Sequence, residues 1–245
     1  MSIFRRRSFT ETVEGRRRFF AWTRLFLVVF LVFELVSHGL LSALEVRSAS
    51  MTPTLLPGDR LLSSPLTLGP RSVFGRLPAL SRPERGDLVL VYPPYEEVVG
   101  FLPSIADSLV RFTTFQRLSL LHRGPEAAIS GPFVARVIAL PGDEVSMEDF
   151  VFKVRPADSI HALTEFEFST RRYDIKKPTL PEGWKSGYPL AGDMDSRLMS
   201  KDEYFVAADE RGSASDSRTW GPIALRHFSA RLLLRYWPFS RFGSL

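Results

Sequence analysis

The stretch Val46–Leu62, VRSASMTPTLLPGDRLL, governs how the rest of the chain is read. Ser48 and Ser50 flank one alanine, a Met-x-Pro-Thr-Leu string follows, and Pro-Gly-Asp then marks a turn. A strongly apolar run ends just before it. Ser50 is a candidate nucleophile in this position. A serine hydroxyl is weak, however, until a neighbouring base takes its proton. The rest of the chain has to supply that base.

On the N-terminal side lies FFAWTRLFLVVFLVFELVSHGLLSAL, residues 19–44. The 20 residues between Arg24 and Glu45 match the length of a helix crossing the hydrocarbon core. The run is longer and bulkier than the apolar part of a cleaved signal peptide, so a retained transmembrane anchor is expected. Residues 1–24 hold seven arginines against Glu11 and Glu14, which accounts for the whole net charge of +5. That flank is expected to stay in the cytoplasm, with the main domain on the far side of the cytoplasmic membrane. Residues 1–18 then form a basic cytoplasmic tail, 19–44 a single-pass anchor in the bilayer, and 45–245 an extracytoplasmic domain. A nucleic-acid-binding domain would carry its basic patch in the folded part, so no nucleic acid is expected. Glu34 and His38, four residues apart, would share a helix face within the membrane. Either they are functional, or Glu34 stays protonated, pairs with His38 or faces another helix.

Beyond residue 45 short apolar runs alternate with Pro, Gly and Asp turns. DLVLVY, FVARVIALPGDEV, EYFVAADE and ARLLLRYWP read as strands. The domain is expected to be mainly β. An insertion at about 95–130 breaks the pattern. Within it, residues 97–121 place Val98, Phe101, Ile105, Leu109, Phe112 and Phe115 near helical spacing, which predicts an amphipathic helix. It would lie either on the membrane surface or on the β core. Residues 155–200 read as an extended excursion with little regular structure. The chain has no cysteine, which excludes disulfides, thiol nucleophiles and zinc–thiolate sites. No His/Asp cluster has ligand spacing, so neither a metal nor a cofactor is expected.

Four blocks in order, SASMTPTLLPGDRLL, RGDLVLVYPP, ARVIALPGDEV and ADERGSASDSRTWGPI, follow the anchor. In this arrangement the chain resembles a type I signal peptidase, a membrane-anchored serine endopeptidase that removes signal peptides from exported preproteins. The resemblance implies a signal-peptidase-type β domain behind one N-terminal transmembrane helix. It implies Ser50 as nucleophile. Ser48 would contribute its hydroxyl to an oxyanion hole with the Ser50 backbone N–H. Met51, Arg136, Asp209, Asp216 and Arg218 match structural positions near the site, and an Asp216–Arg218 pair is expected to brace its strands. Signal peptides are the implied partners, with the secretion machinery or a paralogous peptidase as further ones.

The departures concern the proton. The family's base is a lysine directly before the arginine of the third block, and here that residue is Ala135. The serine that orients this lysine stands two residues before Asp-Ser-Arg, and here it is Ala214. Ala208 replaces a glycine that opens the fourth block. Lys153, Lys176, Lys177, Lys185 and Lys201 remain, with His122, His161 and His227, but none occupies the base position. No Gly-x-Ser-x-Gly elbow points to another hydrolase. Two readings stay open: an active peptidase with a relocated base, or an impaired member that binds signal peptides or partners an active peptidase. A membrane-anchored scaffold that merely keeps the fold is the third, and the intact Ser-x-Ser-Met block argues against it.

Overall fold

The computed structural model describes residues 9–34, 40–69, 71–72, 75–76, 78–95, 103, 106–107, 109–110, 113–114, 120, 132–169, 171–180, 182–184, 188, 190–212 and 215–245. It opens with one long helix, α1 (Phe9–Glu34). Arg16, Arg17, Arg18 and Arg24 all sit within it, so part of the expected basic tail is itself helical. These charges, with Glu34 at its end, shorten the apolar run. Among the described residues no helix is long and apolar enough to cross a membrane. Residues 35–39, including His38, lie outside the described residues, as does the Glu34 side chain. The last residues of the expected anchor, Ser42–Leu44, belong instead to a strand.

That strand is β1 (Ser42–Glu45), followed by β2 (Arg60–Ser64), the short β3 (Arg71–Ser72) and β4 (Gly75–Arg76), and β5 (Leu88–Val91). After the insertion come β6 (Phe133–Ala139), β7 (Glu144–Glu148), β8 (Val151–Arg155), β9 (Leu163–Thr164), β10 (Met194–Leu198) and β11 (Glu203–Ala207). A single helical turn, α2 (Ser217–Trp220), precedes β12 (Ile223–Ala224), β13 (Phe228–Trp237) and β14 (Gly243–Ser244). The protein is mainly β. The larger sheet runs β1-β2-β13-β5-β6-β11-β12, with β14 on β13, and a smaller sheet runs β10-β7-β8-β9. Both are built from antiparallel pairs.

The sequence explains the layering. β6 is buried from Val134 to Ala139, as its near-continuous apolar run requires of a strand covered on both faces. β8 alternates instead, burying Phe152 and Val154 and exposing Lys153 and Arg155. Three apolar clusters form the core. One gathers Met51, Leu55, Leu61, Leu88, Val134 and Leu232. A second holds Ala135, Val89, Val137, Val206 and Phe228. The third joins the two sheets through Ile138, Phe152, Val154, Met199 and Phe205.

One expectation needs correction. The excursion at 155–200 contains β9 and β10, which complete the smaller sheet. Its residues are mostly exposed there, so no apolar alternation announced them. Of the expected helix at 97–121, only residues 103, 106–107, 109–110, 113–114 and 120 are described. Of these, 103, 106–107, 109–110 and 113 are helical, and Thr114 N–H donates to the Val110 carbonyl at 2.9 Å. The remainder lies outside the described residues.

Candidate active site

The turn between β1 and β2 carries both serines. It closes where Val46 N–H donates to Asp59 O and Gly58 N–H donates to Val46 O, each at 2.8 Å. Inside it, Thr52 N–H donates to Ala49 O at 3.0 Å and Leu55 N–H to Met51 O at 2.8 Å. Met51 is 1% exposed in the first apolar cluster, so it pins the turn to the sheet. Ser50 is half-buried and Ser48 exposed. The Ser50 N–H donates to Ser48 Oγ at 3.1 Å. The two donors expected to form an oxyanion hole thus meet each other, and a substrate oxygen would have to displace Ser48 from this amide.

Below the turn lies Arg136, on β6. Its Nε donates to Asp209 Oδ1 at 2.8 Å and its Nη2 to Asp209 Oδ2 at 2.6 Å, a bidentate pair. Nη1 reaches the Gly86 carbonyl at 2.9 Å. Burial works against the guanidinium charge, but the hydrogen bond and charge of Asp209 outweigh it, and the Arg136 pKa is raised. Thr54 Oγ1 donates to Asp209 Oδ2 at 2.5 Å, and Glu210 N–H donates to the Ser50 carbonyl at 2.9 Å. The segment 209–210 therefore holds the serine turn at two points.

Asp216 and Arg218 pair nearby, with Arg218 Nη2 at 2.8 Å from Asp216 Oδ2. Asp216 also accepts from Ala208 N–H at 3.0 Å and from the Arg218 N–H at 3.0 Å, capping α2. Arg218 Nη1 donates to the Arg211 carbonyl at 2.7 Å. Ala214 lies outside the described residues.

No described group takes the Ser50 proton: among the described residues the Ser50 hydroxyl has no hydrogen-bond partner. Ala135 is fully buried in the second cluster. Lys153 on β8 pairs with Glu148 on β7, and Lys177 pairs with Asp149 in the turn between those strands. Lys176 Nζ lies 3.9 Å from Glu210 Oε1. Lys201 is exposed in the turn before β11, and His161 is exposed in the loop after β8. His227 is buried just ahead of β13. Lys185 and His122 lie outside the described residues. Among the described residues no cluster could hold a metal ion.

One edge beside this turn is open. β5 pairs with Phe133, Val134, Ala135 and Arg136, whereas β11 pairs only with Arg136, Val137 and Ala139. Among the described strands, the β11-facing edge of Phe133–Ala135 has no ladder partner, so an extended peptide has backbone groups there to pair with.

The family described as "Signal peptidase, peptidase S26" matches residues 19–237. The chain belongs to the signal peptidase family. Its relatives include signal peptidase I of Rickettsia bellii, 25% identical over 251 residues that cover 91% of this chain and 74% of that one. Signal peptidase I of Helicobacter pylori is 21% identical, covering 92% of this chain and 83% of that one. Thylakoidal processing peptidase 1 of Arabidopsis thaliana is 25% identical over 80% of this chain, which spans only 42% of that protein's length. A crystal structure of a signal peptidase I from Enterococcus faecalis superimposes with a TM-score of 0.34 and 17% identity, covering 63% of this chain and 99% of that one.

Sequence reasoning singled out Ser48, Ser50, Met51, Arg136, Asp209, Asp216 and Arg218. The structure brings the first five together around the turn and sets the last two beside them. It adds Thr54, Glu165, Tyr173 and Glu210. Thr54 stood within the first block and could have been found there. Glu210 stood within the fourth block, whereas Glu165 and Tyr173 lie outside all four blocks, and no local pattern marks them.

Proposed function

We propose that this chain is a membrane-anchored signal peptidase I-type serine endopeptidase that acts on the signal peptides of exported preproteins, with Ser50 as nucleophile. Family membership supports the reading. The observation that carries it is the Ser50 turn, held by Met51, Thr54–Asp209 and Glu210 beside a β6 edge that is unpaired among the described strands. A preprotein segment would pair with Phe133–Ala135 and offer its scissile carbonyl to Ser50 Oγ. α1 would carry the anchor, since Phe19, Trp22, Leu25 and Phe26 are all exposed on it and its arginines would keep the N-terminus in the cytoplasm. The main domain would then lie on the extracytoplasmic side.

One observation favours a second reading. With Ala135 in the base position and no described partner for the Ser50 hydroxyl, the chain would bind signal peptides without cutting them, alone or beside an active paralogue or the secretion machinery. A positioned base contributes roughly 10²–10⁴ in rate, so its loss separates the two readings sharply.

The test is cleavage of a preprotein with a small-residue cut site by the full-length protein in detergent, beside Ser50→Ala. Cleavage lost in Ser50→Ala supports the peptidase. Silence of both, next to an active control, supports the binder. In that case Ala135→Lys with Ala214→Ser is expected to raise cleavage by about 10² or more over the native chain. A lysine at fully buried Ala135 has its pKa lowered by desolvation, as a base requires.

A further inference from the structure

The excursion after β8 contributes two residues that the family's blocks do not contain, Glu165 and Tyr173, to a buried polar cluster. Tyr173 lays its ring on Arg136, with the guanidinium carbon 3.6 Å from the ring centre. Its hydroxyl donates to Glu165 Oε2 at 2.7 Å. Glu165 is fully buried. It also accepts from Phe152 N–H at 3.0 Å and pairs with Arg211 at 2.5 Å. Arg211 is likewise fully buried and lies over the Phe152 ring at 4.6 Å. Arg136, Arg211, Asp209 and Glu165 thus form a charge-balanced buried group, with a neutral phenol between its halves. Burial, and after it the Glu165 carboxylate, push the Tyr173 pKa far up, so its O–H remains a donor at every working pH.

The same excursion grips the fourth block through its backbone. Lys176 N–H donates to Asp209 O, and Arg211 N–H donates to Lys176 O, each at 2.9 Å. Asp209 and Glu210 are the two residues that hold Thr54 and Ser50. A displacement of the 165–176 segment therefore has to move the serine turn, whereas the β6 edge stays held by β5.

We infer that Tyr173 and Glu165 are positioning residues for Ser50. They form a buckle that presses Arg136 and the 209–211 segment against the nucleophile turn. The inference rests on the peptidase reading for its catalytic consequence, but not for its structural one. A nucleophile has to be held within about half an ångström of its productive place. Loosening the buckle should lower the rate of cleavage and leave peptide binding at the β6 edge unchanged.

The test uses the full chain in detergent with Tyr173→Phe, Tyr173→Leu and Glu165→Gln, read by amide hydrogen exchange and by cleavage kinetics. Tyr173→Leu is expected to speed exchange in residues 46–55 and 209–211 by about tenfold, with residues 60–64 and 228–232 unchanged. Tyr173→Phe keeps the ring on Arg136 but loses the bond to Glu165, and should fall between the native chain and Tyr173→Leu. In cleavage, Tyr173→Leu should lower kcat about tenfold with KM unchanged. If Tyr173→Leu does not fold, Glu165→Gln carries the test with the same local exchange expected. Unchanged exchange at 46–55 in a folded Tyr173→Leu or Glu165→Gln overturns the inference, as does exchange raised equally in the reference strands. If the native chain cuts nothing, the peptidase reading fails and hydrogen exchange alone decides the buckle.

Discussion

Arg136 shows how one side chain carries the serine turn. It is 3% exposed and joins Asp209, the Gly86 carbonyl, Thr54 and the Tyr173 ring. Removing one partner of a buried ion pair leaves the other charged and unpaired, which costs far more than the pair itself contributes. Arg136→Ala is expected to destabilise the protein by about 3–5 kcal/mol, read as a shift of the urea midpoint. Asp87 makes a different point. Burial raises its pKa above the ordinary 3.8, although the Glu84 N–H and Arg231 pull the other way. The folded protein then holds this proton more tightly than the unfolded chain does. Stability from this residue is present below the ordinary value and falls as pH rises through the raised one. Thermal melts of native protein and Asp87→Asn from about pH 4 to about pH 7 should show the native protein losing ground to the variant. A constant difference across that range would be the contrary result.

At the scale of elements, the turn before β5 is as demanding as the strands. Gly86 has φ +89, and a Cβ there would lie 2.9 Å from Ser169 Oγ. Its carbonyl also receives Arg136. Gly86→Ala is expected to cost about 1–3 kcal/mol from the positive φ and the contact together, with thermal melting as the check. The elements most legible in the sequence were those with a local signature. β5, β6, β11 and β13 were readable as apolar runs closed by turn residues. β9 and β10 were not, because short, exposed edge strands owe their conformation to the β7–β8 pair beside them rather than to their own residues. The same holds within the site. Ser48, Ser50 and Met51 announce themselves by spacing, while Glu165 and Tyr173 acquire meaning only once the chain has folded back.

For the whole molecule, the membrane reading is the one to test by fractionation. The full chain is expected to remain with membranes through alkaline carbonate washing, and the chain from residue 40 onward to be released. Retention of the shortened chain would move the membrane contact into the β domain. The apolar runs that fill the three clusters explain why fold class was legible when the site's chemistry was not. Strand pattern follows from side-chain polarity along a few residues. A proton acceptor for Ser50 depends on which groups meet in space, and position 135 said only which group is absent.

Beyond its own local bonds, the turn that carries Ser50 is tied to residues made much later. Thr54 meets Asp209 across 155 positions, its carbonyl meets Arg235 across 181, and Asp59 meets Arg241 across 182. The serines are made early, whereas Asp209, Arg235 and Arg241 follow much later. On synthesis in chain order, these long-range ties of the Ser50 turn can close only once residue 209 and those after it have been made. Those three ties are therefore unavailable to a chain still growing through residues 60–208.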